Sequence, residues 1–95
     1  MTMDQIILDF SRCGDRQGLY GELREKMAWE PWYGENLDAL YDVLTGMPGV
    51  EGEYVLRRGA PTGDPIFDSY LERMVQTFLD AQEEREGVRV SVEYV

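Results

Sequence analysis

Between Pro65 and Glu86 the apolar residues Phe67, Tyr70, Leu71, Met74 and Phe78 recur at three- and four-residue intervals. Just past Gly87 that rhythm gives way to strict alternation, with Val88, Val90, Val92 and Tyr94 set against Arg89, Ser91 and Glu93. The first period is that of an amphipathic helix, the second that of a strand with one polar face. Asp64-Pro65 marks where the helix begins, Asp as N-cap and Pro at the first helical position. Gly87 stops the helix at about Glu86. Ahead of the helix, residues 53–57, with Tyr54-Val55-Leu56, read as a further strand.

The rest of the chain repeats this alternation. Residues 5–10, with Ile6, Ile7, Leu8 and Phe10, read as a short buried strand. Ser11 to Gly14 is a turn, and Asp15 can cap a helix over 16–27 with Leu19, Tyr20, Leu23 and Met27 inward. Gly18 and Gly21 weaken that helix by up to about 1 kcal/mol each relative to alanine. Trp29-Glu30-Pro31 ends it. Met47-Pro48-Gly49 and Gly52 form a turn-rich connection, and 58–63 reads as loop. The order is β-α-α-β-α-β. Strands separated by helices favour parallel pairing through right-handed crossovers, so the expected class is α/β. Ninety-five residues make one domain, 1–95, with no internal repeat, low-complexity tract or linker.

Nineteen acidic residues stand against nine basic ones, a net charge of −10. Such a chain repels nucleic acid and anionic membranes and attracts basic partners. The single cysteine, Cys13, allows no intrachain disulfide and reads as a structural or free thiol. No apolar run approaches the ~18 residues of a membrane span. The N-terminus lacks a basic segment followed by an apolar one, so no secretory signal is expected and a cytoplasmic, reducing compartment is.

The stretch Trp32-Tyr33-Gly34-Glu35-Asn36, followed by Leu37 to Gly46, carries the functional signal. Asn36 is a good N-cap. Gly46 suits the position just past a helix, where it would take the left-handed conformation. Leu37, Leu40, Val43 and Leu44 form an apolar face. Asp38, Tyr41, Asp42 and Thr45, at i, i+3, i+4 and i+7, line the other. That second stripe breaks local rules. Two aspartates four apart repel by roughly 0.2–0.5 kcal/mol, and Asp42, near the C-terminal end, is opposed by the helix dipole. Fixed carboxylates around an aromatic anchor suit a surface made to meet a positively charged pocket. A plain solvated acidic face is the alternative for such a pattern.

The run Tyr33-Gly34-Glu35-Asn36-Leu37-Asp38-Ala39-Leu40, then Asp42, then Leu44-Thr45-Gly46, closely resembles the signature of the barstar family. These are small intracellular inhibitors of secreted guanyl-specific ribonucleases of the barnase type. The resemblance extends through Leu19, Leu23 and Lys26 upstream, and through Tyr54-Val55-Leu56, Phe78, Ala81 and the strand after Gly87 downstream. It implies a three-stranded parallel sheet packed with about three to four helices. It also implies one-to-one binding of a secreted guanyl-specific ribonuclease by an otherwise monomeric protein.

By the same resemblance, Asp42 occupies the place of the scissile phosphate and Asp38 pairs with an arginine of the same cleft. Trp32 packs on the enzyme's catalytic histidine. Tyr33, Gly34, Asn36, Thr45 and Gly46 complete the contact, and Asp80 stands where family members carry a glutamate that reaches an arginine of the nuclease. Tyr41 and Met47 replace family tryptophans, which points to a different choice among ribonucleases. No helix is expected in 58–63, where family members have a short one.

Catalytic chemistry finds little footing. There is no histidine, hence no histidine base, triad or ligand, and one cysteine cannot build a thiolate zinc site. Gly59-Ala60-Pro61-Thr62-Gly63-Asp64 lacks the lysine of a phosphate loop. Asp38 and Asp42 on adjacent turns of one exposed helix make a poor glycosidase cleft. The chain is expected to be no enzyme and to need no cofactor or metal. The rival reading is the same fold acting as an interaction module or antitoxin toward a different basic protein.

Overall fold

Strands β1 (Gln5–Asp9), β2 (Gly52–Arg58) and β3 (Val88–Tyr94) pair in parallel, with β2 central, in the order β1-β2-β3. The computed structural model describes residues 5–30 and 33–95, and in these α1 (Arg16–Met27) and α2 (Leu37–Gly46) connect β1 to β2 while α3 (Pro65–Glu84) connects β2 to β3. This is the expected α/β architecture, with three α-helices among the described residues.

The register sorts the sheet into two faces. Ile6, Tyr54 and Val90 stand abreast, as do Leu8, Leu56 and Val92. These residues join the core with Leu19, Tyr20 and Leu23 of α1, Leu40, Val43 and Leu44 of α2, and Phe67, Leu71, Met74, Val75, Phe78 and Ala81 of α3. The alternate rows, Gln5–Glu53–Arg89, Ile7–Val55–Ser91 and Asp9–Arg57–Glu93, lie on the opposite face, outside that core. The cause is topological. Both crossovers step the same way across the sheet, and connections of one hand then lay every helix on one side. Each fully buried Leu or Phe contributes roughly 1.5–3 kcal/mol, so the helices are held by the one face they share.

Helix starts follow the side chains that cap them. Asp15 accepts from the Gly18 N–H at 2.7 Å, Asn36 from Ala39 at 2.7 Å, and Asp64 from Ile66 and Phe67 at 3.0 and 3.3 Å. Gly18 is small for a reason: a Cβ there would lie 3.2 Å from the capping carboxylate of Asp15. Asp68 gathers the Thr62 N–H, the Thr62 hydroxyl and the Gly63 N–H, which orders the loop ahead of α3 without a helix in 58–63.

Several boundaries differ from the sequence reading. Phe10 leaves the first strand to open a 3₁₀ turn, Phe10–Arg12, because Asp9 accepts from the Ser11 N–H at 3.1 Å and also from its hydroxyl. The second strand is a residue longer at each end than 53–57. The helix α1 ends through Ala28 in the left-handed conformation, φ 54°, with the Trp29 N–H returning to the Leu23 carbonyl. The helix α3 ends at Glu84, with Arg85 extended, rather than at 86. Gly46 is not a left-handed stop. It is the last residue of α2, the extended Met47 follows, and the glycines with positive φ are Gly34, Gly49, Gly52 and Gly63.

Cys13 is a free, half-buried thiol that burial, and then Glu22, Asp9 and Asp15, push up to about 11, so it stays protonated at neutral pH. Among the described residues no helix is long and apolar enough to cross a membrane, and no cluster of His, Cys, Asp or Glu could hold a metal ion.

Candidate functional site

The loop before α2 is anchored from α1. Trp29, 4% exposed, donates its indole N–H to the Gly34 carbonyl at 3.0 Å and meets the Tyr33 ring edge-on, centroids 5.2 Å apart. Arg24 pairs with Glu35 at 2.7 Å, and the Arg16 guanidinium donates to the Glu35 carbonyl. Gly34 stands at φ 84°, a conformation that a side chain strains. Tyr33, Gly34 and Asn36 are thus held by one indole, two guanidinium groups and a helix cap. Trp32 lies outside the described residues.

Beyond the loop, α2 presents the stripe that its period requires. Asp38 and Asp42 are exposed, while Tyr41 and Thr45 are half-buried. The ion pairs among the described residues, Arg24–Glu35, Lys26–Glu22, Arg57–Glu93, Arg58–Glu72 and Arg85–Glu51, use neither aspartate. Thr45 donates its hydroxyl to the Tyr41 carbonyl at 2.7 Å, leaving only its lone pairs to offer a partner.

The helix α3 supplies the opposite wall. Between the two lies a groove of about 380 Å³ lined by Leu37, Asp38 and Tyr41 on one side and Arg73, Gln76, Thr77 and Asp80 on the other. Asp80 accepts from the Gln76 side chain at 2.9 Å. Partial burial, and then the carboxylates of Glu84, Asp80 and Asp42, push the Tyr41 hydroxyl above its ordinary range. Tyr41 therefore keeps its proton, and its O–H can donate into a field of negative charge. Glu84 takes part in that field.

The far end of α2 is held by a residue that sequence reasoning missed. Arg85 donates to the carbonyls of Leu44 at 3.0 Å and Met47 at 2.7 Å, and pairs through its other terminal nitrogen with Glu51. It satisfies carbonyls that a helix end leaves without partners, which is why Gly46 need not turn left-handed. Gly87 makes room for this arrangement: a Cβ there would lie 2.8 Å from Glu51 Cγ. An arginine following two glutamates gives no local sign of such a role. Met47, which replaces a family tryptophan, is half-buried and packs partly against the core.

Asp38, Tyr41 and Asp80 thus share one groove, whose lining does not include Asp42. Tyr33, Gly34 and Asn36 form the loop leading into α2, and Thr45, Gly46 and Met47 lie at the far end of that helix. The arrangement offers exposed carboxylates, in no ion pair among the described residues, around a half-buried phenol.

The sequence model of the family described as Barstar (barnase inhibitor) matches residues 3–95. A Bacillus subtilis (strain 168) protein named "Putative ribonuclease inhibitor YrdF" is 32% identical over 82 residues, which cover 86% of this chain and 89% of that protein.

Proposed function

The chain belongs to the barstar family, and on that premise we propose that it inhibits a secreted guanyl-specific ribonuclease by filling its substrate cleft with α2 and the loop before it. The observation that carries the reading is the pair Asp38 and Asp42, in no ion pair among the described residues and set one turn apart around Tyr41. A carboxylate can take the place of a phosphate before arginines, which grip either one bidentately. Asp42 supplies the central anion, Asp38 the second, and Asp80 a third from across the groove. Nothing in this mechanism needs catalysis by the inhibitor. The complex is one to one, and the inhibitor works in the cytoplasm, shielding the producing cell from its own nuclease before export.

The test is inhibition of purified guanyl-specific ribonucleases, barnase among them, by the protein and by Asp42→Ala. Removing one partner of a buried charge pair costs about 2–5 kcal/mol of binding, a range to which the barnase–barstar pair itself contributed. Asp42→Ala is expected to lose that much while the fold is unharmed, since it relieves a like-charge pair. A loss no greater than that of the exposed Glu83→Ala would remove Asp42 from the centre of the contact. Absence of inhibition across the panel would favour a different basic protein partner.

A further inference from the structure

Arg73, Gln76, Thr77 and Asp80 fall at i, i+3, i+4 and i+7 on α3, and together they form one wall of the groove. Gln76 is turned to Asp80, and Thr77 donates its hydroxyl to the Arg73 carbonyl at 2.8 Å. The Arg73 guanidinium has no ion pair, hydrogen bond or ring contact among the described residues. Neighbouring arginines are committed. Arg16 donates to the Glu35 carbonyl and stacks 4.8 Å over Tyr70, Arg58 pairs with Glu72, and Arg85 holds the end of α2.

The place of Arg73 brings it no ion pair among the described residues. It is exposed, it sits mid-way along α3, and although Asp38 and Asp80 line the same groove it is bonded to neither. A face that only had to be acidic toward a basic enzyme would do better without it. A lone cation on such a face acts as a filter, because like charges brought together across an interface are rejected and opposite ones are fixed in register.

We propose that Arg73 is a specificity determinant of the inhibitory face: it pairs with an Asp or Glu on the rim of the partner's cleft and turns away nucleases that carry a basic residue there. This rests on the ribonuclease-inhibitor reading above. Seven residues of α3 separate Arg73 from Asp80, about 10 Å along the helix. The partner therefore displays an acidic rim group about that far from the basic group that meets Asp80. A planar guanidinium suits a carboxylate bidentately.

The test compares the protein with Arg73→Glu, Arg73→Ala and Asp42→Ala across a panel of purified guanyl-specific ribonucleases, with folding checked by circular dichroism. Arg73→Glu is expected to weaken inhibition of the preferred nuclease by about 10- to 100-fold and to strengthen inhibition of a poorly inhibited one, reversing their order. Arg73→Ala moves both in the same directions by less. Replacing the rim carboxylate of the preferred nuclease by lysine restores inhibition by Arg73→Glu. Long-range charge alone predicts otherwise: a net charge two units more negative would tighten every complex by a similar factor. That result, or no change across the panel, overturns the inference while Asp42→Ala still loses inhibition. If the unaltered protein inhibits none, the ribonuclease reading itself falls and Arg73 with it.

Discussion

Replacing Arg85 by alanine tests whether the end of α2 is held by a side chain 41 residues away from the carbonyl it binds. The guanidinium is 19% exposed, donates to two carbonyls at 3.0 and 2.7 Å, and pairs with Glu51, itself 46% exposed. Hydrogen bonds from a charged donor contribute about 1.5–3 kcal/mol, but helix-end carbonyls released here regain some water, so roughly 1 kcal/mol for each is the working figure. The charge at the negative end of α2 adds about 0.5 kcal/mol. The bridge to the half-exposed Glu51 adds little, since solvent screens it. The expected loss is about 2–3 kcal/mol, a large share of the 5–15 kcal/mol that holds a domain of this size together. In a urea titration it lowers the midpoint with little change of slope, and it lowers Tm by about 10–20 °C. Arg85→Lys recovers only part, since an ammonium lacks the fork that reaches both carbonyls and Glu51. If Arg85→Ala costs less than about 0.5 kcal/mol, within the range of an ordinary surface change, Arg85 does not hold the helix end, and the explanation for the absent left-handed glycine fails.

Other expectations follow from the same structure. Ala28→Gly relieves a left-handed alanine of about 1–2 kcal/mol of strain against up to about 1 kcal/mol of lost chain restriction, so thermal unfolding should show a gain of about 0.5–1 kcal/mol; a loss would mean that Ala28 is not strained. Burial pushes the Tyr54 hydroxyl up to about 12, so the folded state holds that proton more tightly than the unfolded chain does. The associated stability is intact below pH ~10 and disappears as pH rises toward 12, about 3 kcal/mol at most. Tyr54→Phe should therefore flatten the decline of the urea midpoint over that interval, and parallel declines would contradict the assignment. Association with a basic ribonuclease should slow steeply with salt, because a charge of −10 steers the encounter and ions screen it over about 8 Å at physiological strength. A stopped-flow association rate unchanged by salt would mean that the acidic face is not aimed at the partner.

The chain by itself determined whatever is settled within a few residues. Asp15, Asn36 and Asp64 cap the helices that their positions announce, because a cap reaches only two or three residues forward. The stripe Asp38, Tyr41, Asp42 and Thr45 opposite Leu40, Val43 and Leu44 is fixed by helical period alone, and so is the one-sided alternation of β3. The order of elements left few topologies open, and the parallel sheet is the one it favours. Tertiary structure decided what depends on reach through space. Gly46 looked like the stop of α2, but Arg85, 38 residues beyond Met47, already meets the free carbonyls and makes that stop unnecessary. Trp29 looked like the end of a helix and proves to be the anchor of the loop at Gly34. Asp80 and Arg73 enter the site because α3 lies beside α2. With nineteen carboxylates and eight arginines in the chain, many pairings of long side chains are chemically equivalent. Only the packing of the helices on one face of the sheet brings particular pairs within reach, and among the described residues it leaves Asp38, Asp42 and Arg73 without an ion pair.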